Sequence, residues 1–387
     1  RAVSVDGEVL ETANEKEPLP RDIEARTVIA RRLIAERCLY GVDLNPLAVE
    51  LAKLSIWLVT LAKGRPFGFL DHNLSCGDSL LGIHRLDQLT ELSMTPTGKG
   101  QQRLFGKNIE RAVQDAIELR QRLREMPIRD THDVEAMARL DADARTKLEV
   151  PERIADAFIG EVFASGGNAS AIENVVASLA IQADQAVDCD RGAIEAIITR
   201  ALSSLSVDLP SDRESRRPFH WALAFPEVFF RQNAGFDALI GNPPFMGGRK
   251  ISSSLGVTYL NYLTSIRPGI SGIADFVCHF LRQSFDMLRV GGTFGLVATK
   301  SISEVDSRRG GLGFIASDGG TIYSAVSNQP WPGKAAVVVS LVHVIRGPFA
   351  RKTLNHLEVS DIEPSLIAGE SASTEPQRIS KYIGLGR

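Results

Sequence analysis

Gly235-Phe236-Asp237-Ala238-Leu239-Ile240-Gly241-Asn242-Pro243-Pro244-Phe245 joins a hydrophobic, strand-like run to a turn that two prolines hold rigid. Chance places Asn-Pro-Pro-Phe in only about one chain of this length in a thousand. In an open α/β sheet, ligands bind outside the carboxyl ends of the strands, so such a strand delivers residues 242–245 to a binding edge. The carboxamide of Asn242 and the carbonyl of Pro243 can then present two oxygen acceptors to one point, which suits an NH₂ group. Phe245 is left to stack on a flat partner. The plain alternative is a rigid turn followed by a core phenylalanine.

An aromatic NH₂ is a poor nucleophile because its lone pair is delocalised into the ring. Accepting both of its hydrogens favours a pyramidal nitrogen able to attack a methyl group. A duplex base offers its face to Phe245 only after being flipped out of the stack.

Upstream, Cys38-Leu39-Tyr40-Gly41-Val42 reads as a short strand ending at Asp43. Asn45 can cap the next helix, with Pro46 at its first position. That helix is expected to run to about Lys63 and stop at Gly64, and its apolar residues on every side predict burial under other elements. Asn73 to Asp78 reads as a second strand ending in an acid. A carboxylate at such a strand end typically accepts from ribose hydroxyls, the role open to Asp43, and Asp78 could receive the amino group of a cofactor adenine. For each, a helix-cap or turn aspartate is the bland alternative.

Around these elements the chain alternates. A helix is expected over Asp22 to Arg37. Residues 85–217 are helical in pattern: Ile109, Val113, Ile117 and Leu119 mark one helix closed by Pro127, Val134 to Leu148 a second, and Ile154 to Val162 a third. Ser170 with Glu173 makes a capping-box signature before a fourth, and Ile194 to Leu205 supplies a fifth. A helix from about Ile273 to Leu288, then strands at Thr293–Thr299, Thr321–Val326 and Ala335–Val344, complete an α/β pattern. It predicts a mostly parallel, doubly wound sheet with a helical insertion. Gly291-Gly292 and Gly310-Gly311-Leu312-Gly313 lack the spacing and lysine of a phosphate loop and read as turns. Lys334 reads as a solvated lysine, and Asp275 as a dipole partner at a helix start.

Composition narrows the class. The 387 residues, 44% apolar and 24% charged, are those of a globular protein of two or three domains. With 44 basic against 47 acidic residues the net charge is −3, so any polyanion contact must be local. Cys38, Cys76, Cys189 and Cys278 include no close pair and the seven histidines are scattered, so neither a metal site nor a disulfide framework is expected. Apolar runs such as Leu54 to Ala62 fall short of the roughly 18 residues that span a bilayer, and a cytoplasmic location is expected.

The runs Cys38 to Pro46, Leu70-Asp71-His72 through Cys76-Gly77-Asp78 to Gly82, Phe219-His220-Trp221 through Phe225-Pro226-Glu227-Val228-Phe229, Gly235 to Phe245, and Trp331-Pro332-Gly333 resemble the large adenine-N6 DNA methyltransferases of bacterial and archaeal restriction-modification and phage-defence (BREX-type) systems. The resemblance spans most of residues 25–347. It implies a Rossmann-like methyltransferase sheet binding S-adenosylmethionine, with Asp43 on the ribose, Leu44 lining the adenine pocket and Asp78 at the cofactor adenine. Asn242, Pro243, Pro244 and Phe245 would form the catalytic turn, Asn242 also facing the cofactor. Double-stranded DNA is the implied partner, with restriction or defence subunits alongside.

The domains expected are 1–84, the first half of the cofactor-binding domain; 85–217, the helical insertion; 218–347, the second half with the proline turn; and 348–387, the start of a truncated C-terminal region. The family's glycine-rich first motif and its target-recognition domain are not found, so the chain reads as an excerpt expected to be inactive alone. Rival readings are a methyltransferase acting on a glutamine side chain or an RNA adenine, a non-catalytic assembly module, and, least favoured, a dinucleotide dehydrogenase.

Overall fold

The computed structural model describes residues 2–7, 9–10, 18–60, 69–97, 103–331 and 337–369. The expected helix end at Lys63 and Gly64, the lysine at 334 and the adjoining Pro332-Gly333 lie outside the described residues. The chain divides into two compact units, Arg1–Gln232 and Asn233–Arg387. Among the described residues no helix is long and apolar enough to cross a membrane.

The first unit opens with a hairpin of β1 (Ala2–Val3) and β2 (Val9–Leu10), then α1 (Ile23–Arg37). Asp22 caps α1 by accepting from the Ala25 N–H at 2.8 Å. β3 (Gly41–Asp43) and β4 (Leu74–Cys76) pair in parallel around α2 (Pro46–Thr60). Asn45 caps α2 as expected, its side chain accepting from Leu47 N at 3.0 Å.

The expected burial of α2 is not met. Only Val49 is buried, while Leu44 just before the helix and Leu47, Leu51, Leu54 and Leu58 on it are 43–64% exposed. Its sheet has only two strands among the described residues, too narrow to cover an apolar helix on more than one side.

The helical stretch holds α3 (Leu86–Thr90), α4 (Gly106–Glu125), α5 (Thr131–Ala164), α6 (Ala169–Val187) and α7 (Arg191–Leu205). The second and third expected helices are one: α5 runs through Pro151, sacrificing one backbone hydrogen bond. Ile154, Phe158, Ile159 and Phe163 beyond that proline are fully buried, and their packing keeps the helix going. The cap of α6 is Asn168, whose side chain accepts from Ala171 N at 3.2 Å, rather than Ser170. The short α8 (Trp221–Ala224) and α9 (Pro226–Phe229) close the unit, Trp221 Nε1 donating to the Ser79 carbonyl at 3.0 Å.

The second unit carries a six-stranded sheet of order β10-β9-β7-β8-β6-β5. Its members are β5 (Phe236–Gly241), β6 (Leu288–Thr299), β7 (Gly320–Pro330), β8 (Val338–Arg346), β9 (Lys352–Leu354) and β10 (Leu357–Val359). Helices α10 (Gly248–Leu255), α11 (Val257–Ile266) and α12 (Val277–Met287) lie between β5 and β6 in sequence. Leu281 and Phe285 of α12 join Phe294, Val342 and Val344 of the sheet in one core.

The α/β class is the expected one, but the sheet is mixed. β5 with β6 and β7 with β9 are parallel; β8 runs antiparallel to both β6 and β7, and β9 to β10. The link at 331–337 is too short for a parallel crossover, which needs a dozen or more residues. Nor are Gly310 and Gly311 in turns. They sit buried in a helical segment over 305–317, where a Cβ on Gly310 would meet the Ile270 Cα at 2.9 Å.

Candidate functional site

In the second unit β5 and β6 run side by side with Gly241 opposite Leu296, so both carboxyl ends open on the same edge. Asn242 follows at once. It is exposed, and its carboxamide has no hydrogen bond among the described residues. Pro243 is buried, anchoring the bend, while Pro244 is exposed and Phe245 is 39% exposed, so the ring is not a core residue. The turn thus holds an unengaged amide and an aromatic ring at the end of a parallel strand.

Two contacts fix the chain just beyond the turn. The Met246 carbonyl accepts from Phe276 N at 2.8 Å. Gly248 lies so close to the next segment that an added Cβ would meet Ile273 C at 2.4 Å and Ala274 O at 2.7 Å. Gly248→Ala is therefore expected to push the loop off its support and destabilise the protein by about 1–3 kcal/mol, measurable by thermal unfolding.

Sequence reasoning undervalued Asp275. Its buried carboxylate accepts from Thr299 Oγ1 at 3.1 Å, Ser301 Oγ at 2.6 Å and Val277 N at 3.1 Å, tying the end of β6 to the start of α12. Its own N–H donates to Ser307 Oγ at 3.0 Å. A signal was present: Asp275 is the one acid between Asp237 and Asp286. Below it the Cys278 thiol is pushed up to about 12, first by burial, so it stays protonated and unreactive.

In the first unit, Asp43 pairs with Cys76 across the parallel β3–β4 ladder, and Asp78 stands two residues beyond Cys76. The two acids therefore leave one strand edge together. Each also makes the turn bond of its bland alternative: Asp43 Oδ1 accepts from Asn45 N at 2.7 Å and Asp78 Oδ1 from Leu80 N at 3.0 Å. Asp43 and Leu44 are exposed. Asp78 is half-buried, its N–H donating to the Arg217 carbonyl at 2.8 Å. Asp43, Leu44 and Asp78 belong to the first unit, and the 242–245 turn to the second.

The family described as Eco57I restriction-modification methylase matches residues 37–315, well over half of the chain and reaching from just before β3 to the helical segment before β7. The chain belongs to this family. Among solved structures it is similar to the Type IIL restriction-modification enzyme MmeI, determined in complex with DNA, at 16% identity and a TM-score of 0.32. That match covers 46% of this chain and 27% of MmeI, so the chain spans little more than a quarter of that enzyme's length. No curated protein sequence matches it. Within the family match lie both acids, the proline turn and Asp275.

Proposed function

We propose that the chain is the catalytic part of an S-adenosylmethionine-dependent DNA methyltransferase acting on the N6 amine of a flipped-out adenine, in a restriction-modification or phage-defence system. The observation that carries this reading is the exposed, unbonded carboxamide of Asn242 on a rigid turn at the end of a parallel strand, in a restriction-modification methylase family member. Asn242 Oδ1 and the Pro243 carbonyl would accept the two amine hydrogens and hold the nitrogen lone pair free for transfer. Phe245 would stack on the base, and Pro244 keeps the turn from relaxing. The cofactor supplies an electrophilic methyl group on a sulfonium.

The first-unit residues suit that cofactor. Asp43 uses one carboxylate oxygen on Asn45, leaving the other for a ribose hydroxyl. Leu44, 64% exposed, offers an apolar surface to an adenine ring, and Asp78 stands beyond the neighbouring strand to meet its amine. In this reading residues 1–84 and 218–347 are two halves of a doubly wound, Rossmann-like domain, 85–217 is an insertion and 348–387 begins a further region. A DNA substrate in a bacterium or archaeon implies a cytoplasmic enzyme, with double-stranded DNA and defence subunits as partners.

The test is mass spectrometry of DNA, tRNA and a glutamine-bearing protein substrate after incubation of the full-length enzyme with methyl-labelled cofactor. N6-methyladenine in DNA is expected; label only in tRNA or protein overturns the substrate assignment. Asp43→Ala is expected to weaken cofactor binding about tenfold by isothermal titration, the loss of one charge-assisted hydrogen bond. Unchanged affinity would remove Asp43 from the site.

A further inference from the structure

Charge is unevenly placed around the proline turn. From Ala238 to Ala274 the sequence has no aspartate or glutamate, while Arg249, Lys250 and Arg267 bring three cations, in a chain whose net charge is −3. Arg267 is buried and bonds Gln283, so it is taken up inside the fold. Arg249 and Lys250 are exposed, and neither has an ion-pair or side-chain hydrogen-bond partner among the described residues.

The packing of α10 decides where those charges face. Gly248 and Ile251, one helical turn apart, are its buried residues, which leaves Arg249, Lys250, Ser253 and Ser254 exposed on the outer side. That outer side is cationic and hydroxylic, with no acid. Lys300, also exposed and without a side-chain partner among the described residues, opens the short helical turn Lys300–Ser303 at the carboxyl end of β6. It stands between Thr299 and Ser301, whose hydroxyls donate to Asp275 at 3.1 and 2.6 Å. The residues flanking Asp275 hold the start of α10 as well, since Phe276 N donates to the Met246 carbonyl at 2.8 Å and Gly248 lies against Ile273 and Ala274. Both cation-bearing segments are therefore tied to residues 273–276, beside the 242–245 turn. The next acids along the chain, Glu304 and Asp306, share their helical segment with Arg308 and Arg309, so that segment adds no net charge.

We propose that Arg249, Lys250 and Lys300 hold the DNA phosphates flanking the target base, so that the catalytic unit grips the backbone without reading sequence. The proposal rests on the DNA methyltransferase reading above. A merely solvated surface ordinarily intersperses both signs, whereas these three cations stand unpaired next to an exposed amide and an exposed aromatic ring. Phosphate contacts set the position of a protein on a duplex, and a grip beside the turn would steady the strand while its base is out of the stack.

Binding and steady-state methylation of a DNA duplex by the full-length enzyme, over a range of salt concentrations, test this. Each phosphate contact removed is expected to lower the slope of log affinity against log salt by about 0.9, so the triple variant Arg249→Ala, Lys250→Ala, Lys300→Ala should lose about two to three. At about 0.1 M salt its affinity should fall about 100-fold, on cognate and unrelated duplexes alike, with KM rising more than kcat falls. Its melting temperature should match the parent's, because all three side chains are exposed. Arg249→Lys keeps the charge and should bind within about twofold of the parent. Arg139→Ala removes a cation 80% exposed on α5, in the other unit, and should leave the slope unchanged. The proposal is overturned by an unchanged slope in the triple variant, by a loss confined to kcat, or by an equal drop from Arg139→Ala, which would make it an effect of net charge. A parent enzyme that methylates no DNA sinks the proposed function and this grip together; a parent that does, beside a triple variant that binds equally well, sinks the grip alone.

Discussion

Asn242→Ala is expected to lower methyl transfer to DNA by about 10²–10³-fold, the usual cost of removing one preorganised group aimed at charge that develops in the transition state. The fold should not notice, because the carboxamide is exposed and unbonded among the described residues. Its melting temperature should therefore match the parent's. Asn242→Asp keeps two oxygen acceptors on the same turn and should fall less. Phe245→Ala removes a stacking surface worth about 1–3 kcal/mol, whereas Phe245→Tyr should retain most activity. Single-turnover rates of the three position-242 forms decide the matter: an undiminished rate in Asn242→Ala would take this turn out of the chemistry.

What could be read from the residues was whatever depends on near neighbours. The strand at 236–240 feeding the proline turn, the Asn45-Pro46 helix start, and Asp43 at the end of β3 are all local patterns, and each stands where the sequence puts it, whereas Asp78 lies two residues beyond the end of β4. Orientation was harder. The alternating pattern that suggested a mostly parallel sheet carries no sign for β8; only the short 331–337 link does, by forbidding a crossover. The expected helices at Val134–Leu148 and Ile154–Val162 are one because tertiary burial of Ile154 and Phe158 outweighs the hydrogen bond that Pro151 costs. The exposure of α2 was illegible for a related reason. Its leucines record the need for a covering surface, while the coverage depends on how many strands its sheet contains.

Asp275→Ala is expected to cost about 3 kcal/mol of stability, far more than a helix-start dipole partner would. The substitution strips the acceptor from two hydroxyls and one backbone N–H in a buried place, and an unsatisfied buried donor costs about 1–3 kcal/mol. The sum stays below three such penalties because Thr299 Oγ1 and Ser301 Oγ lie 2.6 Å apart and can go on bonding each other. Asp275→Asn should lose less, about 1–2 kcal/mol, since its carbonyl can still cap Val277 N while its amide must face the hydroxyls. Denaturant unfolding separates these values. A change within 0.5 kcal/mol for the alanine form would show that the carboxylate is idle. Function should follow stability here, because Phe276, next to Asp275, donates the hydrogen bond that holds Met246 directly behind the proline turn. Loosening the acid's grip on β6 frees that anchor. The alanine form should thus lose transfer rate even at temperatures where it remains folded, through poorer placement of the amine acceptors rather than loss of any group that touches the base.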